Sequence, residues 1–422
     1  MRDTELYGRL LGLQSPWFVR AVCYEEQPER IAVYVDHAAG IEMPCPVCGR
    51  YRGVYDHLAE RQWQHLPTCQ VPTFIHARLP RIRCPEHGVR SVLSDWSAPG
   101  AEITRALECR LIDLEKECSV EGASRLSGLS WERCWGVLER AVDRGLQRKQ
   151  WKLPVHLGVD EKAFGRGQDY ETVVCDLEEG VVEFVGDGRR QESLEEYFLP
   201  FDDAERAQVE SVCLDMWEPY ISTLQASIPN AADKMVFDKF HVMKLLNEAV
   251  DQVRRQEHKE LTAQQSEVLK GTKYWWLYNP THLPEDCQPV FARLRQLNLK
   301  VSRAWAIKEL FRQLWEYRRT GWARRFFQRW YFWATHSRLE PIIKVAKTLK
   351  RHLPNLLTYL VHRFTNALSE SLNTQIEKLK RIACGFRNRE HFKKAIYFHC
   401  GGLDLYPRAP HLSTTISCAY PH

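Results

Sequence analysis

Two acidic residues end predicted strands, where a metal-dependent site could form. Asp160 closes an apolar run that begins at residue 155, and Asp215 closes a second run that begins at residue 209. Acidic side chains at such positions project from the edge of a sheet, where a third carboxylate from a helix can meet them. Three converging carboxylates bind hard divalent cations such as Mg2+ through oxygen ligands. Two such ions promote phosphodiester cleavage without a side-chain nucleophile, by activating the attacking oxygen and stabilising the leaving one.

Glu370 is the candidate for the third carboxylate. The pattern predicts a helix over residues 366–380, with Asn366 as its N-cap. The residues predicted to form the buried face of this helix are Leu368, Leu372, Ile376 and Leu379. Its polar face carries Glu370, Asn373 and Glu377, and the cations that follow within reach of a phosphate backbone are Lys378, Lys380 and Arg381. The chain has 54 acidic residues, and a single acidic residue after a strand is more often a turn or a cap, so spacing alone leaves other choices open.

The elements that must position these carboxylates form a mixed α/β pattern from residue 153 onward. Short β-type runs occur at 155–159, 172–177, 181–185, 209–214 and 234–237, with helices predicted at 192–197 and 217–227. From about residue 239 to 352 the pattern is entirely helical and rich in Trp and Arg. The sequence therefore predicts an α/β domain followed by a long helical region.

Four residues in the N-terminal part form two short pairs that are typical of a zinc site. Cys45 and Cys48 form a Cys-x-x-Cys pair, and Cys84 and His87 form a Cys-x-x-His pair. Each pair can place two ligands on one tight turn, and two such turns close a tetrahedral site. The 35 residues between the pairs exceed the usual spacing, so the site must enclose a sizeable hairpin. A closed four-ligand site is structural; the alternative is four unrelated side chains in a chain with 14 cysteines.

Residues 120–133 are typical of two helices joined by a glycine turn. Gly128 marks the turn, Ser130 caps the second helix, and Ala123 is small where the helices would cross. This order of features predicts a DNA-binding helix-turn-helix, although an ordinary helical hairpin has the same pattern. The residues predicted to contact DNA are Arg125, Trp131, Arg133 and Arg140.

The helical region is strongly basic at residues 300–351, with fourteen Lys or Arg against three Glu and no Asp. Aromatic rings interleaved with Arg can stack on unpaired bases while the guanidinium groups hold phosphates. Trp305 and Trp315 are predicted to lie in the core. The candidates for DNA contact are Trp322, Arg325, Trp330 and Trp333. The alternative is that all these Trp side chains pack helices together and the Arg side chains form a solvated face.

The composition of the whole chain sets broad limits. With 422 residues, 44% hydrophobic and 27% charged, it is typical of a folded chain of two to four domains. We find no run of about 18 apolar residues and no basic start with an apolar core, so neither a membrane span nor a signal peptide is predicted. Several cysteines stand singly in helix-like stretches, which suits a reducing cytoplasm. The net charge of +5 does not by itself imply a nucleic-acid partner.

Several segments, taken in order, resemble one family of transposases. They are the Cys-x-x-Cys knuckle, the helix-turn-helix, the strand that ends Gly-Val-Asp-Glu, the Phe-Asp-Lys-Phe-His-Val segment at 237–242, and residues 366–381. The chain resembles the ISL3 family of bacterial insertion-sequence transposases, within the wider DDE class. The resemblance covers residues 40 to 400, and its last two segments are the specific ones. A His as fourth zinc ligand and the long zinc spacing depart from the family pattern.

The resemblance implies a ribonuclease-H-like catalytic core that an all-helical insertion interrupts before the final glutamate. It places the catalytic, metal-binding triad on Asp160, Asp215 and Glu370, and the 154 residues between the last two agree with an insertion. It also implies that Asp238 and His241 brace the fifth strand against the next helix. The cofactors implied are two Mg2+ or Mn2+ ions per active site and one structural Zn2+.

The hypothesis from sequence is a DNA transposase that acts on DNA in the bacterial cytoplasm. Its N-terminal modules would bind the terminal inverted repeats of its element, and its core would cleave the ends and join the 3′-hydroxyls to target DNA. Because two ends are cut together, a homodimer or larger assembly on DNA is expected. The alternatives are a non-catalytic DNA-binding regulator and a metal-dependent nuclease on the same core. The predicted domains are a zinc module at 1–98, a helix-turn-helix at 99–150, the core at 151–244 and 353–422, and the insertion at 245–352.

Overall fold

The computed structural model describes residues 2–165, 169–278, 283–362 and 367–408. The chain divides into two compact units. The first contains the residues up to Lys149, the short segment Arg381–Gly385 and the segment that begins at Tyr397; the second contains Gln150–Lys380 and Phe386–Ile396. None of the helices in the described ranges has the length and apolar character that a membrane crossing requires.

Two four-stranded sheets make up most of the first unit, after a short helix α1 at Asp3–Leu10. The strands are β1 (Trp17–Glu26), β2 (Glu29–His37), β3 (Glu42–Pro44), β4 (Tyr51–His57), β5 (Arg61–Thr68), β6 (Val71–Ala77), β7 (Pro80–Cys84) and β8 (Gly88–Ser91). One sheet has the order β1-β2-β6-β5 and the other the order β3-β4-β7-β8. The hairpin β5–β6 therefore leaves the second sheet to pair with β2, which explains the long spacing between the two cysteine pairs.

Three helices complete the first unit: α2 (Arg105–Glu117), α3 (Val120–Ser127) and α4 (Trp131–Arg148). Each begins with a hydroxyl cap, because the side chains of Thr104, Ser119 and Ser130 accept a hydrogen bond from a backbone N–H in the first turn. The predicted turn between α3 and α4 is observed at Gly128, whose φ of 69° lies in the left-handed region that glycine adopts at low cost. These helices share a buried core with Phe398 from the C-terminal segment of the same unit.

The second unit is built on a five-stranded mixed sheet. Its strands are β9 (His156–Ala163), β10 (Tyr170–Asp176), β11 (Val181–Asp187), β12 (Ser211–Leu214) and β13 (Met235–Phe237). The order is β11-β10-β9-β12-β13; the first three strands are antiparallel, whereas β12 runs parallel to both β9 and β13. All five strands are observed where short apolar runs predicted them. The predicted end of the first strand is wrong, because β9 continues three residues beyond Asp160 to Ala163. The parallel arrangement brings the ends of β9 and β12 to the same edge of the sheet.

Helices account for most of the remaining chain. They are α5 (Gln191–Phe198), α6 (Asp203–Ala207), α7 (Glu218–Ser227), α8 (Ala231–Lys234), α9 (Lys239–Ala263), α10 (Lys273–Leu277), α11 (Gln288–Gln296), α12 (Lys300–Phe311), α13 (Thr320–Thr335), α14 (Glu340–Arg351), α15 (Leu353–His362), α16 (Ala367–Ile382) and α17 (Arg389–Cys400). The helical region predicted from residue 239 is thus observed. Buried side chains of the sheet, of α5 and of α7–α15 form one continuous core.

Helix α16 packs closely on strand β9 at a glycine. A Cβ atom at Gly158 would lie 2.5 Å from the hydroxyl oxygen of Ser369 and 2.7 Å from the sulfur of Cys175, so only glycine lets the helix approach this far. Leu372 and Ile376 are buried as predicted. The prediction for Leu368 is wrong, because its side chain is exposed at the start of the helix. Asn366, the predicted N-cap, lies outside the described residues.

Candidate active site and zinc centre

Strands β9 and β12 bring Asp160 and Asp215 together. Asp160 lies within β9, and Asp215 directly follows β12, its parallel neighbour. Both carboxylates line a cavity of about 280 Å³, whose wall also includes Lys244 and Glu248 from α9. Two of the three predicted carboxylates therefore share one cavity at the edge of the sheet.

The electrostatics of this cavity show that the two carboxylates influence one another. Burial raises the pKa of Asp215, the hydrogen bond from His241 acts in the opposite direction, and the charge of Asp160 raises it further. For His241, burial disfavours the imidazolium, but the hydrogen bonds to Asp215 and Asp238 outweigh it and raise the pKa to about 10. His241 is consequently a cation at neutral pH, and it offsets part of the repulsion between the carboxylates.

Asp238 and His241 connect the fifth strand, helix α9 and the site. The carboxylate of Asp238 caps α9 by accepting a hydrogen bond from the backbone N–H of Phe240 at 3.0 Å. Nδ1 of His241 lies 2.8 Å from Oδ2 of Asp238 and 2.5 Å from Oδ1 of Asp215. Ligand atoms of these two acids and the histidine all lie within 4.8 Å of one another, so they could also hold a metal ion.

Glu370 lies on α16, beside the cavity that Asp160 and Asp215 line. Its side chain is exposed and lines a neighbouring cavity of about 660 Å³ together with Asp238. Lys244 and Glu248 line both cavities. One turn after Glu370, the side-chain amide of Asn373 donates a hydrogen bond to the Asp160 carboxylate. The helix that carries the third carboxylate is therefore anchored on the first one.

Sequence reasoning missed three charged residues that line the cavity of Asp160 and Asp215. They are Glu161, Lys244 and Glu248. A usable signal exists for the last two, since Lys244 and Glu248 follow His241 at intervals of three and seven residues and so share one face of α9. Burial is the largest influence on Glu161 and raises its pKa. Within the described chain, no carboxylate lies within ion-pair distance of the Lys244 ammonium, so it is available to an anionic ligand.

The four predicted zinc ligands lie together at the turns of the sheet β3-β4-β7-β8. The ligand atoms of Cys45, Cys48, Cys84 and His87 all lie within 4.8 Å of one another. The sulfurs of Cys48 and Cys84 are 3.8 Å apart, and the sulfur of Cys84 is 3.4 Å from Nδ1 of His87. Ligands around a tetrahedral zinc ion with bonds of about 2.0–2.3 Å are roughly 3.6 Å apart, so this arrangement fits the ion. The hydrogen bond from His87 lowers the pKa of Cys84 to about 6, which favours the thiolate that zinc requires.

Comparison with known proteins finds a match for the region of the acidic site and another for the zinc module. Residues 157–396, more than half of the chain, match the family of transposases defined by the DDE domain of ISL3 elements. The chain belongs to the ISL3 family of DDE transposases. Residues 41–87 match the zinc finger of the transposases of IS204, IS1001, IS1096 and IS1165. The family and the zinc-finger module predicted from sequence are thereby confirmed.

Two kinds of relative resemble this transposase over nearly its whole length. The transposase for insertion sequence element IS1557 of Mycobacterium tuberculosis is 26% identical over 423 residues, covering 92% of this chain and 93% of that protein, with the same values in two strains. The transposase for insertion sequence element IS1001 of Bordetella parapertussis is 27% identical over 398 residues, covering 93% of this chain and 97% of that protein. The similarity therefore includes both compact units.

The residues of the first unit that are predicted to contact DNA lie on the surface, but they differ in the protein contacts that they make. Arg125 and Arg140 are exposed. The guanidinium of Arg133 lies 2.5 Å from the carboxylate of Glu102, and both side chains are largely exposed. Such surface pairs contribute about 0–1 kcal/mol, so DNA could displace Glu102 at little cost. Trp131 stacks on Trp135 with the ring centroids 5.5 Å apart.

The basic residues at the end of α16 also differ in exposure and in the contacts that they make. Lys378 and Arg381 are exposed, as a contact with DNA requires. Lys380 instead donates a hydrogen bond to the backbone carbonyl of Ala163, and its ammonium lies 5.9 Å from the ring centroid of Phe392. The structure therefore corrects the prediction for Lys380, because its ammonium holds α16 on β9 and is not free for a phosphate.

The tryptophans of the helical region divide into core and surface. Trp305 and Trp315 are buried, as predicted. Trp330 is only 1% exposed, and its indole N–H donates to the carbonyl of Ile307 at 2.9 Å. The prediction that Trp330 contacts DNA is therefore wrong. Trp322 and Trp333 remain at the surface, with 56% and 37% of their side chains exposed.

This division predicts that two alanine substitutions in helix α13 change the free energy of unfolding by very different amounts. Trp330→Ala removes a fully buried ring and should lower the free energy of unfolding by about 3–5 kcal/mol. Trp322→Ala removes an exposed ring and should change it by less than about 0.5 kcal/mol. Urea denaturation followed by circular dichroism measures both. Equal destabilisation by the two substitutions would contradict the assignment of Trp330 to the core.

Proposed function

We propose that this chain is an active DNA transposase. It binds the terminal inverted repeats of its insertion sequence, cleaves a phosphodiester bond at each end, and joins the freed 3′-hydroxyls to target DNA. The observation that carries the proposal is the position of Asp160 and Asp215, which line one cavity, Asp160 from within β9 and Asp215 from the end of the parallel strand β12. Helix α16, which carries Glu370, is anchored at the same place by Asn373.

A ribonuclease-H-like core is part of this proposal. Three antiparallel strands followed by two parallel ones, in the order β11-β10-β9-β12-β13, support it. The long helical stretch between β13 and α16 supports an insertion at residues 245–352. We assign the core to residues 151–244 and 353–396, the zinc module to 1–98, and the helix-turn-helix to 99–150. The predicted extension of the core to residue 422 disagrees with the fold, because Phe398 is buried with the helices of the first unit.

Divalent metal ions fit the donors at this site. Carboxylate oxygens are the ligands that Mg2+ and Mn2+ prefer, and Asp160 lies near enough to Asp215 for its charge to raise the pKa of the second acid. Asp160, Asp215 and Glu370 would hold two such ions. When bound, the ions supply activation of the attacking oxygen and charge stabilisation at the leaving oxygen.

Protein groups around the carboxylates position them and bind the substrate. Asn373 fixes one oxygen of Asp160, and His241 holds Asp215 while Asp238 orients the imidazole. Lys244 lines both cavities, and its ammonium would bind a non-bridging oxygen of a DNA phosphate there. Asp238 and His241 thus brace the site, which is the role that the family resemblance implies.

Recognition of the element's ends falls to the first unit in this proposal. The exposed Arg125 in the last turn of α3, and Trp131 and Arg140 on α4, are the DNA contacts that we propose for a helix-turn-helix. Lys378 and Arg381 add contacts to the phosphate backbone. Because both ends are cut together, the active species is a homodimer or larger assembly on DNA, in the bacterial cytoplasm.

Purified protein with a supercoiled plasmid that carries both ends of its own element tests the proposal. With Mg2+ or Mn2+ we expect cleavage at the ends, and we expect pre-cut ends to be joined to a second plasmid. Binding of the ends without any cleavage would favour a DNA-binding regulator. Cleavage without joined product would favour a nuclease on the same core.

Loss of one zinc ligand should unfold the N-terminal module. Cys48→Ser leaves three ligands, so zinc binds more weakly and the sheet β3-β4-β7-β8 loses its closure. We expect zinc content to fall from one ion per chain to below about one half and specific end binding to weaken at least tenfold. The matched control is Cys23→Ser, an exposed cysteine away from the site. Unchanged zinc content in Cys48→Ser would refute the ligand assignment.

A further inference from the structure

The outer face of helix α13 carries an exposed stripe of aromatic rings and arginines. It consists of Trp322, Arg325, Arg329, Phe332 and Trp333, which we call the α13 stripe. At about 100° per residue, these five positions fall within an arc of about 100° along a length of about 16 Å. The exposed fractions of Trp322 and Phe332 are 56% and 63%.

The stripe is separate from the face by which α13 packs. The buried side of the helix consists of Ala323, Phe326, Phe327, Trp330 and Ala334. Because these residues already supply the packing, the fold does not require large rings on the opposite side. Contiguous exposed aromatic surface disfavours solvation and is typical of an interaction site.

The charge around the stripe has a single sign. Residues 317–339 contain six arginines and no acidic residue. Within the described chain, no carboxylate lies within ion-pair distance of Arg324, Arg325 or Arg329. The guanidinium carbon of Arg325 lies over the ring of Trp322, 5.2 Å from its centroid, so the cation is held against one face of the ring. A partner that satisfies this surface must be an anion with flat apolar parts.

We propose that the α13 stripe binds single-stranded DNA, with unpaired bases stacked on Trp322 and Phe332 and phosphates held by Arg325 and Arg329. This inference rests on the proposed transposase function and names the form of DNA that one surface takes. A single strand offers both the negative backbone and free base faces. In duplex DNA the base faces are already stacked on their neighbours, so exposed rings gain little there. Cleavage at an element's end separates strands locally and supplies such a substrate.

The geometry of the rings supports stacking. Trp322 has its indole at the surface beside Arg325, and the imidazole of His336 stacks on Phe332 with the ring centroids 4.0 Å apart. Support from one side holds the Phe332 ring in place and leaves 63% of the residue exposed to a base. A stack between a base and an aromatic ring contributes about 1–3 kcal/mol, which corresponds to about a 5- to 150-fold change in affinity.

The test compares binding of a fluorescent oligo(dT) of about 20 nucleotides with binding of a duplex of equal length by the full chain. We expect Trp322→Ala and Phe332→Ala each to weaken oligo(dT) binding about 5- to 150-fold and duplex binding less than about twofold. Arg325→Gln and Arg329→Gln should each reduce the slope of log affinity against log salt for oligo(dT) by about 0.7. The matched controls are the exposed Tyr274→Ala and Lys347→Gln, which should bind both probes like wild type.

Three outcomes would overturn the proposal. One is wild-type oligo(dT) affinity in all four stripe variants, and another is an equal loss for single strand and duplex in the aromatic variants. The third is a DNA-free dimer in sedimentation that Trp322→Ala disrupts while oligo(dT) affinity stays unchanged, because the stripe would then be a protein interface. Plasmid cleavage separates this failure from failure of the proposed function. If wild type cuts its ends while the stripe variants bind oligo(dT) normally, only the stripe assignment fails.

Discussion

Asp215→Asn is expected to reduce cleavage at the element's ends by about a thousandfold or more. The substitution keeps the shape of the side chain but removes the charge that a divalent ion requires, and loss of such stabilisation costs several kcal/mol in the transition state. Binding of end DNA should stay within about twofold of wild type, because Asp215 is not among the proposed contacts with end DNA. Single-turnover cleavage and a gel-shift assay measure the two quantities on the same preparation.

Two further variants separate a metal ligand from a structural residue. Asp215→Cys should be inactive with Mg2+ and regain part of the activity with Mn2+, since the softer ion accepts a thiolate more readily. Asp203→Asn, which removes an exposed carboxylate of the same unit, should cleave like wild type. Near wild-type cleavage by Asp215→Asn, or loss of end binding together with cleavage, would contradict the role assigned to Asp215.

Gly158→Ala is expected to lower cleavage about a hundredfold although the residue carries no functional group. The added Cβ would lie 2.5 Å from the Ser369 hydroxyl oxygen and 2.7 Å from the Cys175 sulfur, so these side chains must move. We expect helix α16 to shift away from β9 as a result and to displace Glu370 and Asn373. Misplacement by about 1 Å at a reacting centre can cost about a hundredfold in rate. The overpacked contact should also cost about 1–3 kcal/mol of stability. Cleavage rates together with thermal unfolding distinguish these two effects.

A second substitution at the same contact provides the control. Ser369→Ala removes the nearest atom, so the double variant Gly158→Ala with Ser369→Ala should regain part of the lost activity. Gly53→Ala places a Cβ on a strand with nothing within 4 Å and should behave as wild type. If Gly158→Ala cleaves at the wild-type rate, the close approach of α16 to β9 does not position the site.

Much of the second unit could be predicted because its strands are short, apolar and clearly bounded. Residues 155–160 and 209–215 each combine an apolar run with a terminal acid, and both appear as neighbouring strands. The four zinc ligands were identified for a similar reason, since pairs of Cys or His three residues apart are typical of the tight turns that bind zinc. Residues close together in the chain determine these strands and turns, so they could be predicted from the sequence.

The errors arise where tertiary packing decides. Helix α13 is aromatic on two faces, so its sequence does not say which tryptophan is buried, and the prediction placed Trp330 on the wrong face. Lys380 has the sequence context of a free cation, whereas its ammonium bonds to the carbonyl of Ala163. The contribution of Lys244 also depends on the direction in which α9 leaves β13. Each of these features depends on contacts between segments distant in sequence.

Anomalous diffraction from crystals of the protein with its end DNA and Mn2+ tests the central claim most directly. We expect two manganese peaks about 3.5–4 Å apart in one site. Asp160 and Asp215 should contact the ions, with Glu370 bound to one of them. A site with Glu370 away from both ions, or manganese bound only by Asp215, Asp238 and His241, would contradict the proposed triad.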